Sequence, residues 1–361
     1  MKAKRYILSF ILMLAMFCGA SVHASGHSED GKFNVKETIF EHLLDTYEWE
    51  LPFTHEVITL PVIVKDSDGK WHLFDSRRLY ENDQYNGFRI ARDGENAGKI
   101  EGIDENGNVY RPTDLSITKN VTEIILATLI MLLIFFPMAR WYKKHPYKAP
   151  RGFLGAVELL VDMVYGEVIK PILGKDARRF APYLLTVFFF IFIINLMGMI
   201  TVFPGGANIT GNLAVTMVLS LITFFVVNIF GTKHYWKEML WPDVPMWMKC
   251  PVPLMPVIEI FGAITKPIAL MIRLFANMLG GHMITLVLVA LIFIFSALGL
   301  AVQTGTAVFS IAFALFMGVL HLLIGLIQAY VFTMLSTIFI SLAQDHGHGE
   351  GAEKKKEVTN K

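Results

Sequence analysis

Glu259 to His282, EIFGAITKPIALMIRLFANMLGGH, is apolar enough to lie in a membrane, yet it carries Glu259, Lys266, Arg273 and His282. A charge at bilayer depth is costly, so such residues face a protein interior or a wet cavity and by default mark an ion or proton path. Glu259, Lys266 and Arg273 follow one another at intervals of seven residues, and Asn277 stands four beyond Arg273. On an α-helix that spacing sets all four on one stripe. Glu259 and Arg273 are then roughly 21 Å apart along the axis, too far to pair on one straight helix. Pro267 removes one ladder hydrogen bond and can bend the helix. Arg273 has no acid beside it in sequence, so a carboxylate partner must come from another helix or another chain. A plainer alternative is a guanidinium bonded to backbone carbonyls or lining a lipid headgroup pocket.

A second apolar stretch repeats the theme. HLLIGLIQAYVFTMLSTIFISLA begins at His321 and sets Gln328 seven residues later, and INLMGMI carries Asn195. With KPIALMIRLFANMLGGH, these segments resemble subunit a of the F-type ATP synthase, the stator channel subunit of its membrane sector. The resemblance runs roughly from Val121 to Gln344.

The resemblance implies a function. In that family a rotating ring of c subunits carries carboxylates past the stator. Each takes a proton from an outer half-channel, crosses lipid neutralised, and releases it into an inner half-channel. Arg273 stands where the family's essential arginine stands. It would draw the ring carboxylate into its ionised form and block direct leakage between the half-channels. Arginine suits that role because it keeps its charge, whereas a desolvated lysine can lose its proton. Asn277 and Gln328 match amide positions beside it, able to donate and accept.

The outer half-channel departs from the family pattern. Many relatives pair a carboxylate with a histidine at the positions of His282 and His321, and here both are histidine. Gly198 replaces another common acid, and Asn212 stands where an aspartate often does. The access path implied is Asn195, Asn212, His282, His321 and Gln328 with water and no acid, Glu123 being the nearest spare carboxylate. Histidine titrates near neutrality and can relay a proton; the alternative for each is a helix-packing hydrogen bond. His282, nine positions from Arg273, falls on a different helix face unless Gly280-Gly281 distorts the helix. Glu259 is the candidate for the inner half-channel, with Lys266 snorkelling or paired to it.

The bulk numbers agree with a membrane setting. A chain of 361 residues that is 54% hydrophobic and only 17% charged is too apolar for an ordinary soluble domain. The net charge of +1 gives no ground for nucleic-acid binding. Of the two cysteines, Cys18 falls in a leader and Cys250 is alone, so no intrachain disulfide and no zinc spacing arises. Lys2, Lys4 and Arg5, the apolar run to Gly19 and Val22-His23-Ala24 read as a signal peptide of residues 1–24. An uncleaved first membrane helix is the alternative. Residues 25–119 are polar and read as an exported segment of unassigned role. Within it LPVIVKDSDGKWHLF reads as a β-hairpin turning at Asp68-Gly69, and Glu81 to Asn108 as loop.

Residues 120–344 are expected to form the proton-channel domain. Val121 to Ala139 is the first span, at about the 20 residues a bilayer needs. The basic RWYKKHPYKAPR then marks the cytoplasmic side, and Gly152 to Leu173 reads as an interfacial helix. Ala181 to Phe203 and Leu213 to Gly231 are further spans, separated by an outer turn without Lys or Arg. Two longer apolar runs follow, Pro253 to Ala301 and Thr306 to Ala343, broken at Val302 to Gly305. Each is two spans or one strongly tilted helix. The expected fold class is thus an all-α polytopic membrane protein with about five transmembrane helices, the last two long and strongly tilted, plus the small exported segment with its hairpin. Residues 345–361, carrying Lys354, Lys355 and Lys356, are expected to be a cytoplasmic tail, the N-terminus lying in the periplasm of a bacterial inner membrane.

The expected protein is a non-catalytic ion-channel subunit with no cofactor and no metal. Its implied partners are the c-subunit ring, the subunit b stator stalk, the rest of the complex and the lipid bilayer. No G-x-x-x-x-G-K-[ST] occurs, so no nucleotide is expected to bind this chain. Two rival classes are a haem-binding membrane cytochrome using His282 and His321 as axial ligands, and a secondary transporter. The first would show further paired histidines on facing helices, and the second internal hydropathy repeats.

Overall fold

The computed structural model of the chain describes residues 45–50, 57–82, 84–91, 96–104, 107–145, 148–199, 209–240, 254–296 and 300–344. The leader with its cleavage position, the C-terminal tail, Cys18 and Cys250 lie outside the described residues. The chain divides into two compact units. One draws on Met1–Ile130, Ile193–Ile209 and Met278–Gly325, the other on Met131–Phe192, Thr210–Asn277 and Leu326–Lys361.

The N-terminal part of the first unit is built from short antiparallel strands: β1 Glu48–Glu50, β2 Val57–Thr59, β3 Pro61–Lys65, β4 Trp71–Asp75, β5 Phe88–Ile90, β6 Ile100–Ile103, β7 Val109–Tyr110 and β8 Thr113–Asp114. They form the sheets β1-β2, β4-β3-β8 and β5-β6-β7. Strand β3 shows the period of two that a one-sided sheet requires. Val62 and Val64 are fully buried while Pro61 is exposed and Ile63 and Lys65 are half-buried. The β3–β4 register sets Val62 opposite Phe74 and Val64 opposite His72. The turn between them closes with Gly69 N–H donating to the Asp66 carbonyl at 3.0 Å, at a Gly69 φ of 81° that disfavours any side chain. Val62, Val64, Phe74, Leu79, Phe88 and Ile100, with Tyr47, make one small core. Each such side chain contributes about 1.5–3 kcal/mol when fully buried.

The stretch Glu81 to Asn108, expected to be loop, instead carries β5 and β6 and leads into β7. The strands FRI and IEGI have only three and four residues, too few to print a clear alternation. The Gly and Asn that signal loop occupy the turns between them, at positive φ in Asn86, Gly87, Gly98 and Gly107. A short helix, α1 Arg77–Glu81, follows β4.

The strand region is tied to the first long helix, α2 Lys119–Lys144. Lys119 N–H donates to the Thr46 carbonyl at 2.9 Å, and Asn120 N–H to Asp45 Oδ1 at 3.1 Å. Two of the donors that a helix start leaves unmet are thereby satisfied from β1's approach.

The remaining helices are α3 Phe153–Asp162, α4 Lys170–Leu173, α5 Ala177–Met199, α6 Leu213–Ile229, α7 Lys233–Leu240, α8 Leu254–Ser296 and α9 Leu300–Gln344. A π-helical stretch, Met163–Ile169, joins α3 to α4. Gly174, at φ 54°, interrupts the helical track before α5. In the second unit, apolar side chains of α5, α6, α8 and α9 share a core that includes Phe188, Leu219, Leu270, Leu274, Phe332 and Ile340.

Each of the two long apolar runs is a single helix, of 43 residues in α8 and 45 in α9. α8 runs unbroken through Pro267 and Gly280-Gly281. The break expected at Val302 to Gly305 lies inside α9. Gln303, Thr304 and Gly305 are polar or small, but none lacks a backbone donor as proline does, so the ladder carries on at modest cost. Three stretches are long and apolar enough to cross a membrane among the described residues: Lys119–Lys144, Phe153–Met199 and Val308–Gln344. Leu213–Ile229 is a shorter apolar helix.

Candidate functional site: polar groups on the long helices

α8 has two distinct sides. Pro267, Leu270, Leu274, Met278 and Gly281 are buried, at the three- and four-residue steps of one helix face. Glu259, Ile268, Ile272 and Arg273 are exposed, and Lys266 and Asn277 are half-buried. Arg273 makes no ion pair or hydrogen bond among the described residues. It also has apolar neighbours on its own exposed side, so the guanidinium is presented on a hydrophobic face.

In the second unit a partly open cleft lies between α6, α7, α8 and α9, with a free volume of about 20 Å³. That is room for a water molecule. Its polar lining is Ser220, Thr223, Asn228, Tyr235 and Lys266, and Pro267 and Phe339 close part of the wall. Pro267 has no N–H to give to the carbonyl four residues back, that of Ala263, and Ala263 lines the same cleft. The Tyr183 and Thr223 hydroxyls are bonded at 2.9 Å. Lys266 Nζ lies 5.4 Å from the centre of the Phe339 ring, and no Lys266–Glu259 ion pair forms. Burial first, and the Glu259 carboxylate second, raise the Tyr235 hydroxyl above its ordinary range. Glu259 therefore acts electrostatically on one wall of this cleft.

Gln328 is 7% exposed, and its Nε2 has no hydrogen-bond partner among the described residues. Five, eight and nine residues later the same helix buries Thr333, Ser336 and Thr337. Thr333 and Thr337 return their hydroxyls to backbone carbonyls four residues back, whereas Ser336 Oγ has no partner. An unmet buried polar group costs about 1–3 kcal/mol, so these atoms are the places where water or a moving group would be stabilised.

In the first unit, the Cε1 edge of the His321 ring of α9 points at Gly281 of α8. A Cβ built on Gly281 would collide with Cε1 of that imidazole. Glycine is thus the one residue that leaves room for His321 there. The Asn195 amide, 4% exposed, donates to the Gly325 carbonyl at 3.3 Å. The side chain of His282 lies outside the described residues. Asn212 is the N-cap of α6, its Oδ1 accepting from Ala214 N–H at 3.0 Å.

The structure therefore sets Lys266 and Tyr235 in the lining of one cleft, and joins His321 to Gly281 and Asn195 to Gly325. The residues that sequence reasoning missed are Gly281 as the seat of His321 and the hydroxyl stripe Thr216, Ser220 and Thr223, all buried on α6. The stripe was visible as polar residues at steps of four and three within an apolar helix. The role of Gly281 had no signal beyond a Gly-Gly pair.

The comparisons with known proteins fall on these helices. A family model described as ATP synthase A chain matches residues 121–341. A second model, a domain of unknown function, matches residues 38–122. Among curated relatives, the ATP synthase subunit a of Chloroherpeton thalassium is 38% identical over 247 residues, covering 66% of this chain and 70% of the relative. ATP synthase subunit a 2 of Chlorobaculum tepidum is 42% identical over 64% of each chain. ATP synthase subunit a of an Anaeromyxobacter species is 33% identical over 344 residues, 91% of this chain and 75% of the relative. Neither the cytochrome nor the transporter reading is favoured by these matches. The protein is a mostly helical, multi-pass membrane protein, and the chain belongs to the ATP synthase A chain family, the proton-translocating stator subunit of F-type ATP synthase.

Proposed function

We propose that Arg273 is the fixed charge that separates two half-channels, meeting in turn each carboxylate of a rotating c-subunit ring. The observation that carries this reading is the state of Arg273 itself. It is exposed on an apolar helix face and has no partner within the described residues. A guanidinium held in a stable structure normally has its counter-charge beside it, because desolvating it unpaired is costly. An unpaired one on an apolar face fits a counter-charge that arrives on another chain and leaves again.

The roles of the other residues follow. Asn195, Asn212, His282, His321 and Gln328 serve the outer half-channel, His282 and His321 replacing the usual carboxylate–histidine pair. The seating of His321 on Gly281 supports this, since it fixes the imidazole in one place. Glu259 serves the inner half-channel, supported by its electrostatic reach to Tyr235 in the cleft. Asn277, half-buried four residues from Arg273, steadies the guanidinium or its water.

The topology is five spans, with the N-terminus periplasmic and the tail cytoplasmic in a bacterial inner membrane. At ~1.5 Å per residue, α8 and α9 are each more than twice the thickness of the ~30 Å hydrocarbon core. Strong tilt accommodates that length while keeping their polar residues deep. The subunit b stalk is the stationary partner.

The test is ATP-driven proton pumping in inverted vesicles carrying the assembled complex with Arg273→Ala. Pumping is lost while the complex still assembles. Near-normal pumping would assign Arg273 a structural role only.

A further inference from the structure

The sheet β4-β3-β8 has one face in the small core and one face outward. In a sheet that met only water, the outward residues would be polar. Here they are not. Ile63 lies opposite Leu73 in the β3–β4 register, and Leu115 N–H donates to the Ile63 carbonyl at 2.9 Å from the other side. The three side chains form an apolar row across three adjacent chain segments. Leu73 is 73% exposed and Leu115 60%. Beside this row, Lys65 lies opposite Trp71, which is 54% exposed, with Lys65 Nζ 5.8 Å from the ring centre. An aliphatic row edged by a tryptophan and a lysine has the composition of a surface that sits at lipid headgroups.

The place of the sheet in the chain identifies what covers it. Leu115 precedes Lys119, the first residue of the membrane helix α2, by four residues. At about 3.3–3.6 Å per residue, it cannot lie more than roughly 14 Å from the start of α2. Two backbone bonds, from Lys119 to Thr46 and from Asn120 to Asp45, also clamp this region to the first turn of α2. The apolar row is thus held close to the point where the chain enters the bilayer.

We infer that this outward face, Ile63, Leu73, Leu115 and Trp71, rests on the lipid surface at the N-terminal end of α2, anchoring the strand domain to the bilayer. Burying the row in the headgroup and upper acyl region removes its apolar area from water, and Lys65 and the indole N–H stay at the polar boundary. This is a role for the segment that matches a domain of unknown function, and it is independent of how the channel residues act.

The experiment uses the assembled complex in lipid vesicles. Cys18 and Cys250 are replaced by serine, and a nitroxide label is placed at Leu73→Cys and, separately, at Leu115→Cys. Power-saturation spectroscopy then compares collision with oxygen, which concentrates in lipid, and with a water-soluble nickel chelate. Both labels are expected to be relieved mainly by oxygen and shielded from nickel, relative to a label at the exposed turn residue Lys70→Cys. Strong nickel collision at both sites would show a face open to water and overturn the inference. Shielding from both reagents would show that protein covers the row, the chain's own N-terminal segment or another subunit, and would overturn it equally. The two sites lie on different strands, so a label that disturbs one leaves the other to decide.

Discussion

The strand domain and the long helices treat polar side chains in opposite ways. In the strand domain most of them close on one another, His72 Nε2 and Arg89 Nε being buried atoms there without a hydrogen bond among the described residues. Tyr47 donates to Asp114, Tyr110 to Asp66, Thr59 to Asp75, and Ser116 accepts from Ile63 N–H. On the long helices the chemically interesting groups stay open. Among the described residues Arg273 has no counter-charge, and Gln328 Nε2 and Ser336 Oγ have no hydrogen-bond partner. The physical stakes run the other way, since an unmet polar group costs more in an apolar setting than near water. A fold leaves such groups unmet where something else completes them. The strand domain uses polarity to hold shape; on the proposed function, the helices hold polarity in reserve for a proton, water or a passing carboxylate.

The largest expected effect that separates the two regions is Arg273→Ala, which abolishes pumping without loss of assembly. Gly281→Ala comes next. The new Cβ occupies the place of the His321 ring, so the imidazole moves by an ångström or more. Pumping should fall by roughly a hundredfold, the scale on which such a misplacement acts in positioned chemistry. Adding Gly281→Ala to His321→Ala should then cost little beyond His321→Ala alone, because the two act through one contact. Full additivity in that cycle would remove His321 from the argument.

Gln328→Met splits stability from function. Replacing an amide whose nitrogen is buried and unmet should leave helix packing unchanged or tighten it by about 1 kcal/mol, while pumping drops about tenfold. A thermal-unfolding midpoint that falls together with pumping would show that Gln328 is held by the fold after all. Tyr47→Phe is the mirror case. It removes a donor from a partly buried pair with Asp114 and should destabilise the strand domain by about 1–3 kcal/mol, read by hydrogen exchange at β3 and β8. Pumping per assembled complex should not change.

The smallest effect is acid sensitivity of the hairpin turn. The hydrogen bond from Tyr110 holds the Asp66 carboxyl below its ordinary range, with help from Ser67. A lowered folded value means that this link stabilises above the ordinary aspartate range, near pH 3.9, and is lost as pH falls further through the folded value. Hydrogen exchange at Ser67 and Gly69 should therefore quicken only at acid pH, and Tyr110→Phe should remove the pH dependence. Dependence appearing near neutrality instead would exclude Asp66 as its source.

Much of the candidate site was legible in the chain. Arg273, Glu259 and Lys266 announce themselves because charge in an apolar run has no cheap explanation, and their seven-residue spacing already places them on one helix stripe. The hairpin stretch around Asp68-Gly69 was legible for a similar local reason, alternating apolar residues on either side of a turn pair. β5 and β6 were not legible, because strands of three and four residues carry too little pattern to outvote the glycines between them. The supposed break at Val302 to Gly305 misled for the converse reason. Polar and small residues weaken a helix, and only the packed ends decide whether it stops.

The sequence by itself determined the long apolar stretches, the charges set within them and the family, since composition and local spacing are properties of the linear chain. The tertiary structure decided what no spacing can express. It set His321 against Gly281 across thirty-nine intervening residues, brought Tyr235 and Lys266 into the lining of one cleft, and turned Leu73 and Leu115 outward on a shared sheet face. It also left Arg273 without a partner among the described residues. Whether a charged group is satisfied depends on every other part of the chain that could reach it, and that is settled only when the chain has folded.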